Sequence, residues 1–178
     1  STESPEIVVG KKRVAYESAQ ANQSTIVGVG TVATLYGTAQ VVPSSGVARL
    51  TSAAYDEKGS VVLSALDGDR PISSFSASFS VGMSGGSCGH AGISEHCGAE
   101  GMSFVYGPLL TLAFGEADVW SGLRVSMLTG SDPRLVVTYE EVVLATVPAE
   151  LRAEEMVPVF VRYGAAGLDV VYDGLWAV

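Results

Sequence analysis

Hydrophobic and polar side chains alternate with a period of two along much of the second half of the chain. The clearest run is Phe75-Ser-Ala77-Ser-Phe79-Ser-Val81. A strand points successive side chains to opposite faces. Phe75, Ala77, Phe79 and Val81 are therefore predicted to face a core, and Ser74, Ser76, Ser78 and Ser80 to face water or a second layer. The same period appears in Met102-Ser-Phe104-Val-Tyr106, in Leu123-Arg-Val125-Ser-Met127, in Val157-Pro-Val159-Phe-Val161-Arg-Tyr163 and in Leu168-Asp-Val170-Val-Tyr172. Asp173-Gly174 then separates two apolar runs, which predicts a tight hairpin. From Ile26 onward the pattern is a series of short β-type runs. One segment reads differently. Pro148 to Met156 starts with Pro and is rich in Ala and Glu, which predicts a helix of about two turns packed across a sheet end. Many short strands with closely spaced turns, and no repeat of 20 to 50 residues, predict an all-β, two-sheet antiparallel sandwich or jelly roll.

Composition sharpens this picture. At 178 residues with 47% hydrophobic and 16% charged side chains, the chain can bury a core of its own. We divide it into a polar N-terminal segment, 1–24, and a β-sandwich domain, 25–178. Three Lys and three Gln against 26 Val, 21 Gly and 21 Ser weigh against helices. The net charge of −9 argues against nucleic acid and anionic membrane surfaces, which need a basic patch. The one basic run, Lys11-Lys12-Arg13, is too short to form one. No stretch approaches the ~20 apolar residues of a membrane-spanning helix, so membrane insertion is not expected.

Two cysteines, Cys88 and Cys97, enclose both histidines, His90 and His96, in the Gly-rich stretch 85–98. The simplest reading is a disulfide closing this loop, worth about 2.5–3 kcal/mol by loop entropy. The alternative is a zinc tetrad of Cys88, His90, His96 and Cys97, although the adjacent His96-Cys97 pair fits no common zinc spacing. Either would stiffen the loop and present Gly85, Gly86, His90 and His96 as ligand contacts. Asn22, the only asparagine, stands in the acceptor sequence Asn22-Gln23-Ser24. With a disulfide and little Lys, this points to a secreted or cell-surface glycoprotein. The chain starts at Ser1 and is read as a processed product or a fragment.

The order of motifs resembles a known superfamily. Leu35-Tyr-Gly37-Thr-Ala39 is followed by Ala48-Arg49-Leu50-Thr51, Gly59-Ser60 and Phe75-Ser-Ala-Ser-Phe79. Then come Gly98-Ala99-Glu100-Gly101-Met102-Ser103-Phe104-Val105, Gly122-Leu123-Arg124-Val125, Val159-Phe-Val161-Arg-Tyr163 and Leu168 to Gly174. Over roughly residues 30 to 178 the series resembles the concanavalin-A-like lectin and glucanase superfamily, nearest its L-type lectins. The resemblance implies a jelly roll with ligand loops at the rim of a curved sheet, and a chain ending before the last strands of the family's domain. It implies a sugar-binding role for Glu100, since L-type lectins carry Asp between the matching Ala and Gly. Glu keeps the charge and moves it outward by one methylene.

The same resemblance exposes departures. L-type lectins hold Ca²⁺ and a transition metal through an acid-aromatic-acid pattern. The matching stretch here is Ala113-Phe114-Gly115. Glu116 and Asp118 follow closely and are the candidate metal ligands, but Ca²⁺ takes six to eight oxygens, so they could bind it only with help from other oxygens; no cofactor is assigned, and Ca²⁺ is kept as the alternative. The laminarinase-like relatives use three alternating acids on one strand, with two carboxyls about 5–5.5 Å apart. In Glu116-Ala-Asp118-Val-Trp120 the third acid is missing, and no Gly-x-Ser-x-Gly nucleophile occurs. The chain is therefore read as a non-enzyme. Trp120, Tyr106 and Trp176 lie in strand patterns, so they are read as core and given no role. The expected function is a non-catalytic lectin-like module that binds glycans. The alternative is a structural module of a larger extracellular assembly, such as an adhesin, a receptor ectodomain or a surface filament, packing against other protein subunits.

Overall fold

The serine–hydrophobic alternation at residues 75–81 forms a strand with its apolar side chains turned inward and Ser76, Ser78 and Ser80 exposed. The computed structural model describes residues 6–9, 12–16, 25–28, 31–52, 57–63, 73–84, 101–107, 122–130, 132–153 and 155–178. Among these there are fifteen strands, all paired antiparallel, and no helix. The fold is all-β.

Two four-stranded sheets carry the main core. The first has the order β12-β11-β10-β9, with β9 Gly101–Tyr106, β10 Leu123–Leu128, β11 Arg134–Tyr139 and β12 Val142–Pro148. The second has the order β15-β14-β13-β8, with β8 Phe75–Val81, β13 Val157–Gly164, β14 Gly167–Tyr172 and β15 Leu175–Trp176. Their inner faces share one cluster. Val125, Met127, Leu135 and Val137 come from the first sheet, and Ala77, Val159, Val161 and Val170 from the second. Burial of each of the Val, Leu and Met side chains contributes about 1.5–3 kcal/mol, and of Ala77 less. Phe79 and Phe104 stack across the two layers at 5.5 Å, and Phe75 meets Tyr106 at 4.4 Å. The start of β8 thus lies over the end of β9.

The N-terminal part adds a five-stranded sheet, order β1-β2-β3-β4-β7. It comprises β1 Glu6–Val9, β2 Lys12–Tyr16, β3 Thr25–Gly28, β4 Thr31–Gly37 and β7 Gly59–Leu63. A small hairpin, β5 Gln40–Val42 with β6 Val47–Arg49, is inserted between β4 and β7. This sheet has a smaller cluster of its own around Ala33.

Two expectations need correction. Pro148 to Met156 is not a helix: Pro148 ends β12, and residues 149–153 and 155–156 run irregularly. Leu151 is 1% exposed within the main core, and the Tyr172 hydroxyl donates to its carbonyl at 3.4 Å. A two-turn helix is marginal on its own, and burial of one leucine outweighs the weak propensity of its neighbours. The predicted half-polar β10 is also more buried than its alternation implies. Ser126 is 3% exposed and shares a hydrogen bond of 2.9 Å with its cross-strand neighbour Ser103. That bond satisfies the hydroxyls and lets them leave water.

Candidate functional site

The residues singled out from sequence fall, in chain order, between described strands. Gly85, Gly86, Cys88, His90, His96, Cys97 and Glu100 fall between β8 and β9. Glu116 and Asp118 fall between β9 and β10, and Asn22 precedes β3. All lie outside the described residues. Their anchor points are described. After β8 the described residues run to Ser84 and resume at Gly101, so Glu100 directly precedes the first residue of β9. After β9 they run to Gly107 and resume at Gly122.

Both return points are held by glycine. Gly101 has φ +149°, and a Cβ there would lie 2.1 Å from the Met127 carbonyl oxygen. Gly122 has φ +87°, and a Cβ there would lie 2.5 Å from the Tyr106 carbonyl oxygen. No side chain fits either place. Gly101 pairs with Leu128 at one end of the β9–β10 ladder, and Tyr106 pairs with Leu123 at the other. Five residue steps of about 3.4 Å, about 17 Å of strand, separate the two ends. The segment bearing Glu100 and the segment bearing Glu116 and Asp118 are thus tethered at opposite ends of β9.

The structure also brings together a group that the sequence reading did not. The outer face of the β8-β13-β14-β15 sheet is assembled in rows by the strand register. Ser76, Arg162 and Asp169 form one row. Ser78, Phe160, Val171 and Trp176 form the next. Ser80 and Pro158 begin a third. Trp176 is 62% exposed, against the core position expected from its strand pattern. The cause is parity: Ala177 packs against the core, so its neighbour Trp176 must point outward. Tyr106 is also exposed, at 38%, against the same expectation, although its ring meets that of Phe75.

Arg162 and Asp169 face each other across the β13–β14 pair. The guanidinium donates from Nε to Asp169 Oδ2 at 2.7 Å and a second time from a terminal nitrogen to the same oxygen. Such an exposed pair adds little stability but fixes two polar groups in place. The signal for this face was present in the alternating serines of β8 and the Arg-to-Asp spacing. It could not be read without knowing that β13 pairs with β8 across some 75 residues of chain.

Among the described residues no three His, Cys, Asp or Glu side chains come close enough to hold a metal ion. Burial raises the phenol pKa of Tyr172 above 10.0, with Asp173 and then Glu150 adding to the shift. Tyr172 is a core residue. In comparison with known proteins, the chain matches no family model and no curated protein.

Proposed function

We propose that this chain is a non-catalytic, lectin-like module of a secreted or cell-surface protein, and that it recognises glycans through the connection leading into β9. On this reading the sandwich is of the concanavalin-A-like jelly-roll type. Glu100, with the stiffened loop of Gly85, Gly86, His90 and His96, contacts sugar hydroxyls. The observation that supports it most directly is the glycine-only position at Gly101, which pins the backbone beside Glu100 to the end of an outer strand. A carboxylate held next to a rigid strand end is well placed to accept hydrogen bonds from a polyol. The missing third acid after Glu116 and Asp118 supports a binding role over hydrolysis.

A glycan array on the native protein, with Ca²⁺ and with a chelator, tests the reading. Binding that survives the chelator and falls in Glu100→Gln is the expected result. Loss of binding with the chelator would instead assign a metal to Glu116 and Asp118. No binding under either condition by folded protein would overturn the proposal.

A second reading, a packing module of an extracellular assembly, draws support from one feature. Val142, Val143 and Leu144 are consecutive, apolar and exposed on the sheet-edge strand β12. Sedimentation of the isolated chain with candidate partner subunits would test it. A complex lost in Val143→Glu would favour this reading over the first.

A further inference from the structure

We infer that the outer face of the β8-β13-β14-β15 sheet is a second carbohydrate-contacting surface, with Trp176 as its stacking platform. The inference rests on the glycan-binding reading and adds to it a separate site and a ligand class: an uncharged chain of pyranose rings.

Three features of the face carry the argument. The first is the apolar row. Phe160, Val171 and Trp176 stand side by side on adjacent strands, with Trp176 the most exposed. With Ser78 the row crosses three inter-strand steps of about 4.8 Å, roughly 14 Å in all. An indole presents a flat face with negative quadrupole charge, and the axial C–H groups of a pyranose ring carry small positive charge. A row of this length suits a short oligosaccharide lying across the strands.

The second feature is the polar groups flanking that row. Ser76, Ser78 and Ser80 are exposed along the outer side of β8, each able to donate and accept. Arg162 and Asp169 lie in the adjacent row, locked to each other by two hydrogen bonds. Their remaining donor and acceptor positions are preorganised for hydroxyl groups, which also both donate and accept.

The third feature is charge. The chain carries −9 overall, yet the two charged residues in the registered rows of this face neutralise one another. Exposed Asp173 adds one negative charge at the end of the Pro158 row, to whose carbonyl its N–H donates, while the Ser78-Phe160-Val171-Trp176 row itself is uncharged; that row matches a neutral ligand, and the added carboxylate disfavours a polyanion. A second copy of the chain fits less well, because the exposed serines would have to be desolvated in an interface core, where Ser is depleted.

The test uses the full chain, wild type and three variants, Trp176→Ala, Trp176→Phe and Glu100→Gln. Each is titrated with neutral gluco-, manno- and xylo-oligosaccharides and, as a charged control, oligogalacturonate. Circular dichroism checks folding; Trp176 is exposed, so both of its variants are expected to fold. The expected result is binding of one neutral series that Trp176→Ala weakens on the order of tenfold or more and Trp176→Phe partly restores, with a tryptophan-fluorescence change on binding that Trp176→Phe abolishes. Binding that Glu100→Gln removes and Trp176→Ala leaves intact would overturn this inference while leaving the loop reading standing. Binding by no variant and not by wild type would overturn both. Concentration-dependent dimers that Trp176→Ala dissociates would assign the face to self-association and overturn the inference.

Discussion

Glu140 grips Gly122 at two points. The Glu140 backbone N–H donates to the Gly122 carbonyl, and the Gly122 N–H donates to Glu140 Oε1, each at 3.2 Å. The first turn residue of the β11–β12 hairpin thereby ties down the point where the chain re-enters the sheet at β10.

That grip has a conformational cost. Glu140 and Glu141 both lie in the left-handed region, with φ of 46° and 68°, the geometry of a type I′ turn that favours Asn and Gly. A left-handed non-glycine residue costs roughly 1–2 kcal/mol. Glu141→Gly is therefore expected to stabilise the protein by about 1 kcal/mol. Glu140→Ala, which keeps the strain and loses the side-chain bond to Gly122, is expected to destabilise it by about 1 kcal/mol. Urea unfolding midpoints of the two variants should move in opposite directions.

Gly101 tolerates no side chain. Gly101→Ala places a Cβ against the Met127 carbonyl and is expected to cost about 3 kcal/mol or more, with β9 displaced at the end nearest Glu100. Gly130→Ala, where a Cβ meets nothing within 4 Å, should leave the thermal midpoint within about 2 °C of wild type. Equal losses in the two variants would contradict the packing described.

Leu151 is a core residue on an irregular segment. Leu151→Ala should cost about 2–5 kcal/mol, as for a leucine in the middle of a core strand, while exposed Leu144→Ala should cost about 0.5 kcal/mol or less. Chemical denaturation distinguishes the two.

Tyr172 sets a limit at high pH. Its folded pKa is raised, by burial first and by Asp173 and Glu150 after that. A raised pKa means that the folded state holds the proton longer than the unfolded chain does. This stabilisation is fully present below about pH 10 and is lost as pH rises through the raised folded value. Tyr172→Phe should lose about 1 kcal/mol at neutral pH with the hydrogen bond to Leu151, and its stability should fall less steeply above pH 10 than that of wild type. Denaturant midpoints from pH 8 to 11.5 would show parallel curves if Tyr172 plays no part.

Pro148 guards an open edge. Ala149 N–H donates to the Pro133 carbonyl, so by antiparallel alternation the nitrogen of Pro148 faces away from β11, toward the free side of β12. It has no hydrogen to offer an incoming strand. Leu144 adds a second barrier. Val137 pairs with Ala145 and Thr138 with Val143, which leaves Leu144 as the bulged residue. Pro148→Thr is expected to increase concentration-dependent association in light scattering, driven by the exposed Val142 and Val143.

These residues also show what could be read from the chain alone. The strand at 75–81 and the Asp173-Gly174 turn were legible because local chemistry and tertiary burial agree there. Asp173 and Gly174 have φ of 48° and 77°, as the turn requires. The β11–β12 hairpin is not legible, because Glu140-Glu141 carries no turn signal and Glu140 is held by contacts to Gly122, which directly precedes β10. Pro148 to Met156 departs from the helix its composition predicts because that composition is local while the pull on Leu151 is not. Trp176 was placed in the core because its short strand gave too few residues to settle which parity faced inward. The residues from Gly85 to Glu100, with Glu116 and Asp118, stand out by residue type and by family resemblance, and their positions relative to one another are not encoded in any local pattern.

The two glycine anchors make β9 a ruler. Because one attachment point is fixed at Gly101 and the other at Gly122, changes of length or composition in the segments before them leave the spacing of the attachment points untouched. A ligand gripped from both loop roots would have to match about 17 Å of strand. On the glycan-binding proposal, changes in the two segments would alter which ligand is bound while the distance between their attachment points stays the same.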